Sequence, residues 1–169
     1  MRKGSTRRGF LAAAGAAALT GAVGVNAAGR YEQASTGKTL KILGIACSPR
    51  KGMTTAKAIQ TALDAAKSVD ARFEIELIDL GGMNIAGWLP NPPDDDFKTI
   101  LPKLQDPAVA GLIIGSPVYY RAASALCRAF FERCSALREP KMLLADKPVG
   151  VVAVGAFRNG GQEMTIEQI

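Results

Sequence analysis

Three stretches of the chain are apolar almost without alternation: Leu40 to Ala46, Ala108 to Gly115 and Pro148 to Gly155. Each is followed by a turn and then by residues with helical periodicity. A strand wetted on one face alternates polar and apolar residues, whereas a strand covered on both faces does not. Strands of the second kind, separated by helices, call for an α/β domain with a doubly wound parallel sheet. Ligands of such sheets sit at the carboxyl ends of the strands.

The first unit, Leu40 to Ala66, joins a strand to an amphipathic segment. Ala56, Ile59, Ala62, Leu63 and Ala66 recur at helical spacing, with Lys57, Gln60, Asp64 and Lys67 on the other side. Between strand and helix lies Ser48-Pro49-Arg50-Lys51-Gly52-Met53-Thr54-Thr55. It offers hydroxyls, a glycine free to take unusual dihedrals, and unpaired N–H groups at a helix start. That combination suits a phosphate, although an ordinary turn in which Thr54 merely caps the helix would use the same residues. The patterns G-x-G-x-x-G and G-x-x-x-x-G-K-[ST] are both absent, so the phosphate should belong to some other ligand.

Phe73 to Leu77 alternates apolar and charged residues and Ile78 follows, which marks a strand wet on one side and hence an edge. Gly81 to Pro93, with three glycines and three prolines, reads as loop and holds Trp88 as its one large apolar residue. Asp94-Asp95-Asp96 fits a helix start better than a metal site, because Phe97, Ile100, Leu101 and Leu104 follow at helical spacing. Pro102 should kink or shorten that helix. After the Ala108 to Gly115 strand comes the turn Ser116-Pro117-Val118-Tyr119-Tyr120. A helical stripe of Ala123, Leu126, Cys127, Phe130, Cys134 and Leu137 follows, with Arg128 and Glu132 opposite as an i, i+4 pair. The last strand, read as buried on both faces, leads through Ala156 to Gly161 into a helix begun at Gln162. In the order 2-1-3-4-5 the second strand is an edge, as its alternation requires. The fifth strand is missing, so the expectation is a domain truncated before it, with an open edge that favours a homo-oligomer.

At 169 residues the chain has room for one domain with a sizeable core. Its net charge is +6, but Arg2, Lys3, Arg7 and Arg8 lie in the first 27 residues, which carry no acid. Without them 17 basic residues face 15 acidic ones, a balance of +2. That is no case for nucleic-acid binding. Histidine is absent, which excludes imidazole-based triads and His-ligated metal sites. Cys127 and Cys134, seven apart on a helix, would stand ~10 Å apart, too far for a disulfide. Three cysteines cannot form a four-cysteine cluster within one chain. Cys47, just before the phosphate-type loop, is either near a ligand or a small buried hydrophobe.

Residues 1 to 27 have a basic start, an Ala/Gly-rich apolar stretch from Phe10 to Val25 and a small-residue cleavage site at Val25-Asn26-Ala27. This is the pattern of an export signal; a single membrane anchor and a chance basic amphiphile are the alternatives, and about 16 apolar residues, many only Ala or Gly, make a poor membrane span. Thr6-Arg7-Arg8-Gly9-Phe10-Leu11 resembles the twin-arginine motif, which implies recognition by the twin-arginine export machinery and delivery of a folded protein to the periplasm. Ala28 to Thr39, small and polar, reads as a tether to a domain spanning residues 40 to 169.

Ser48-Pro49-Arg50 to Thr55, Gly115-Ser116-Pro117-Val118-Tyr119-Tyr120 and Gly155 to Glu163 follow three predicted strands in order. With them the chain, from about Lys38 onward, resembles the NAD(P)H-dependent FMN reductase-like and iron–sulfur flavoprotein branch of the flavodoxin superfamily. The resemblance implies a flavodoxin-like fold, FMN as cofactor and no catalytic side chain, because the chemistry is carried by flavin N5. NAD(P)H would be the donor, and a small redox substrate such as a quinone or a flavin, or a redox protein, the acceptor. The phosphate would be held by Ser48, Arg50, Thr54, Thr55 and the backbone of Lys51, Gly52 and Met53. Pro117, Val118, Tyr119 and Tyr120 would lie along the flavin, where the tyrosines could equally serve as packing. Gly155, Gly160, Gly161, Gln162 and Glu163 would line the other side. Arg121 stands where family members often have a small residue. The region matching the cluster cysteines of the iron–sulfur members, Gly81 to Asp96, has no cysteine, so no metal cluster is expected.

Overall fold

The computed structural model describes residues 39–169. The export-signal reading of residues 1–27 lies outside them, as does the tether up to residue 38. Strand β1 (Leu40–Ala46) pairs in parallel with β2 (Phe73–Asp79) on one side and with β3 (Val109–Tyr119) on the other. A two-residue strand, β4 (Ala122–Ala123), folds back antiparallel on β3, and β5 (Val149–Val154) pairs in parallel with the other edge of β3. The parallel order β2-β1-β3-β5 is the doubly wound, flavodoxin-like order, with the alternating strand at the edge. Helices α1 (Thr54–Val69), α2 (Phe97–Leu104), α3 (Ala125–Arg133) and α4 (Gln162–Glu167) complete the domain, and a 3-10 turn (Cys134–Leu137) extends α3.

The unbroken apolar run of β1 reflects cover on both faces. Leu43, Ile45 and Cys47 enter a core with Phe97, Ile100 and Leu104 of α2 and Cys127 and Phe130 of α3; Ala46 packs with Ala56, Ile59 and Leu63 of α1. Two glycines set the depth of α1. A Cβ on Gly44 would lie 2.5 Å from Ile59 Cγ2, and one on Gly115 would lie 2.7 Å from Ile59 Cδ1. Ile59 therefore seats in a notch that spans two adjacent strands, and burying such a side chain contributes about 1.5–3 kcal/mol.

Three local expectations are revised. First, β5 is not buried on both faces: Val149 is 48 % exposed and Val151 to Val154 are half-buried. Among the described residues it pairs with β3 alone and lacks the cover that a second neighbouring strand gives β1 and β3. Second, the stretch read as a turn from Ser116 continues β3 to Tyr119. The turn proper is Tyr120-Arg121, both with positive φ (50° and 65°). Positive φ at both central residues is the hairpin geometry whose usual markers are Asn and Gly, so this pair carries no turn signal. Third, Thr54 does not cap α1: it is the first helical residue, with Met53 at the N-cap position and no side-chain cap bond there, whereas at the start of α2 Asp95 Oδ1 accepts the N–H of Phe97 as the acid run suggests.

Candidate functional site

The phosphate-type loop leaves β1 under tight control. Cys47 N–H donates to Gly115 O at 2.7 Å, extending the β1–β3 pairing beyond the strand. Ser48 is buried, and its Oγ accepts the N–H of Arg50 at 3.2 Å. Pro49 through Thr54 are exposed. Gly52 has φ +70°, which favours glycine, and its N–H donates to Asp79 Oδ2 at 2.7 Å. Asp79 Oδ1 accepts Gly81 N–H at 2.9 Å, and a Cβ on Gly81 would lie 2.4 Å from both Cα and N of Lys51. The N–H of Gly52 is thus already engaged, and this residue contributes its backbone shape. The first turn of α1, the hydroxyls of Ser48 and Thr54 and the exposed cations Arg50 and Lys51 form a donor set suited to a phosphate dianion. Thr55 is buried, its methyl 3.3 Å from where a Gly115 Cβ would stand.

The second and third loops meet each other. Pro117 is in register with Val154, so the ends of β3 and β5 lie side by side. Arg121, the second residue of the hairpin turn, packs its Cα 2.8 Å from the Cβ position of Gly161 (φ +105°), and its Nη2 lies 3.3 Å from Met164 Sδ. Arg121 therefore ties these loops together. Gln162 folds back over Gly155: its Nε2 donates to Phe157 O at 2.6 Å and lies 2.4 Å from a Gly155 Cβ position. Its Oε1, and Thr165 Oγ1 one turn later, are buried without partners among the described residues. Gly160 is half-buried and Glu163 exposed. Tyr120 is fully exposed and Tyr119 is 38 % exposed, so Tyr120 does not serve as core packing.

A cavity of about 800 Å³ opens between Pro49, the segment Gly82–Gly87, Tyr119 and one face of α3. Met83, Ile85, Leu126 and Ala129 give it apolar walls, with Arg128 and Glu132 as its charged residues. This volume falls within the range of small-molecule sites. Of the residues assigned to the flavin from the sequence, only Tyr119 lines it; the convergence of the rest, apolar and polar alike, is tertiary. Arg128 and Glu132 were legible as a helix pair, and Nε to Oε1 is 3.3 Å. The other Glu132 oxygen accepts Trp88 N–H at 2.9 Å, which fastens the 82–88 segment to α3. This bond and the Arg128 guanidinium hold the Glu132 carboxyl below its ordinary value.

Beneath the loops runs a buried polar chain. Ser124 Oγ donates to Cys47 O at 2.6 Å and accepts Cys127 N–H at 3.0 Å, while Ser124 N–H donates to Ser116 Oγ at 2.9 Å. The chain locks the end of β1, the end of β3 and the start of α3 into one frame. Cys47 is 0 % exposed, and a hydrogen bond with the Cys127 thiol, together with burial, pushes its own thiol well above the ordinary value. It therefore takes the second of its two sequence readings, a buried hydrophobe under the site. Burial also pushes Cys134 up to about 12. Among the described residues no group of three Cys, Asp or Glu side chains is arranged to hold a metal ion.

Comparison with known proteins adds relatives to this geometry. A family model described as NADPH-dependent FMN reductase matches residues 40–169. An iron-sulfur flavoprotein of Methanosarcina thermophila is 35% identical over 139 residues, covering 77% of this chain and 71% of its own. One from Methanocaldococcus jannaschii is 36% identical over 139 residues, covering 77% and 69%. Among solved structures, RosB with a bound 8-demethyl-8-formylriboflavin-5'-phosphate intermediate superposes with a TM-score of 0.64 at 15% identity, covering 77% of this chain and 57% of that one. An apo NADH:FMN oxidoreductase gives 0.54 at 23%, covering 77% and 65%. The chain spans less than two thirds of either solved chain, and at these identities the likeness is one of fold.

Proposed function

Because the chain belongs to the NADPH-dependent FMN reductase family, we propose that it is an FMN-dependent oxidoreductase passing electrons from NAD(P)H to a quinone, a flavin or a similar small acceptor. The observation that carries this reading is the meeting of three loops at the carboxyl ends of β1, β3 and β5, framed by Ser124 below and joined by Arg121 and Gly161 above. When bound, FMN would supply hydride acceptance at N5 and electron release. Ser48, Arg50, Thr54 and the first turn of α1 hold its phosphate. Pro117, Val118 and Tyr119 on one side, and Gly155, Gly160, Gly161, Gln162 and Glu163 on the other, flank its ring system and keep water from it. Gln162 Oε1, a buried acceptor without a donor among the described residues, marks the third loop as polar ground. The cavity beside Tyr119 supports a small-molecule partner.

Thr6 to Leu11 supports export through the twin-arginine route to the periplasm. Export also favours a second reading, an FMN electron carrier that meets redox proteins without turning over NAD(P)H, because NAD(P)H is a cytoplasmic reductant. A flavin-free interaction module is the third. An absorption spectrum of the purified full-length protein separates them. Bound flavin bleached by NADPH or NADH is the expected result; flavin that neither bleaches leaves the carrier, and no flavin leaves the module.

A further inference from the structure

We propose that Asp79 is a positioning residue for the flavin phosphate, a role that rests on the FMN reading above and extends it to a residue outside the three loops. Asp79 ends β2 and stands opposite Ala46 on the last rung of the β1–β2 pairing. Its carboxylate therefore lies beside the loop that leaves β1. The two oxygens divide their work. Oδ2 accepts Gly52 N–H at 2.7 Å across 27 residues of chain, and Oδ1 accepts Gly81 N–H at 2.9 Å.

The Gly52 bond acts on a part of the loop that packing leaves unsupported. Gly52 has φ +70° and nothing within 4 Å of its Cβ position, so packing does not hold it there. The Asp79 carboxylate does. On the other side Lys51 lies against Gly81, with no room for a Cβ between them. Asp79 thus clamps Lys51-Gly52 to the start of the β2–α2 connection. It takes the Gly52 N–H for itself and leaves the phosphate to the first turn of α1, the Ser48 and Thr54 hydroxyls and the two cations. A free carboxylate near a phosphate would repel it; one engaged by two N–H groups returns preorganisation instead.

The test compares FMN with riboflavin, which lacks the phosphate, on full-length protein freed of its flavin. Asp79→Ala should weaken FMN about tenfold and leave riboflavin affinity unchanged, the loss of one charge-assisted bond that orders the loop. Gly52→Ala, which disturbs the same N–H from the other side in an exposed loop, should give the same phosphate-selective loss, with both variants retaining a cooperative thermal transition. An equal fall for both ligands, or an unchanged or tighter FMN affinity, overturns the assignment while leaving the FMN reading intact. A wild-type protein that binds neither ligand overturns both.

Discussion

The Arg133 guanidinium closes on the carboxylate of Asp95 while its Cζ lies 5.0 Å from the centre of the Phe97 ring. The ion pair is nearly dry, with side-chain exposures of 11% and 2%. Asp95 also accepts the N–H of Ala86 at 2.9 Å and of Phe97 at 3.1 Å, so one carboxylate joins the cavity-forming loop, the start of α2 and the end of α3. The acid run of residues 94–96 thus opens α2, as its position before the helical stripe suggested, and Asp95 in addition anchors the loop.

Removing the cation leaves a buried carboxylate with only its two N–H partners. Arg133→Ala should therefore cost about 2–3 kcal/mol of stability, measured by chemical denaturation. Burial disfavours the charged Asp95, but the Ala86 N–H, the Arg133 guanidinium and the Phe97 N–H outweigh it and hold its carboxyl below the ordinary 3.8. Its contribution is complete above that value and disappears as the pH falls through the lower folded value. Arg133→Ala should accordingly flatten the acid limb of the stability profile below about pH 4; an unchanged slope would remove Asp95 from the acid response.

Gly44 admits no side chain without displacing Ile59 and Leu63, whose nearest atoms are 2.5 and 2.7 Å from the Cβ position. Gly44→Val should lift α1 from the sheet and destabilise by about 1–3 kcal/mol. A midpoint in urea equal to wild type would show that α1 has more slack than these distances allow.

Thr54 is exposed in the first turn of α1 and Thr55 is buried against β3. Thr54→Ala should weaken FMN roughly tenfold, since a bond to a charged phosphate is worth about 1.5–3 kcal/mol. Titration of the flavin-free protein with FMN checks this, and unchanged affinity would take the phosphate out of the loop.

Export should depend on Arg7 and Arg8. Arg7→Lys with Arg8→Lys should leave the protein in the cytoplasm, folded and carrying flavin, as expected of a route that moves folded cargo. Fractionation of cells expressing the double variant decides it; normal periplasmic yield would contradict the twin-arginine assignment.

Periodicity alone determined the layered α/β plan, the edge position of β2 and the placing of three loops at one end of the sheet. Those features follow from local rules: a strand covered on both faces must be apolar throughout, and a helix on a sheet must show a stripe. The Ser48 to Thr55 loop was legible for the same reason, since its hydroxyls and glycine are adjacent in the chain. Tertiary structure decided everything that depends on distant residues meeting. The hairpin at Tyr120-Arg121 has no glycine to announce it, and its positive φ values are held where Arg121 packs against Gly161. The cavity walls come from two segments about 40 residues apart, and the Asp79–Gly52 bond spans 27. No local pattern encodes such pairings, because the energy that selects them exists only once β1 and β2 are aligned and the carboxylate finds itself beside the Gly52 N–H.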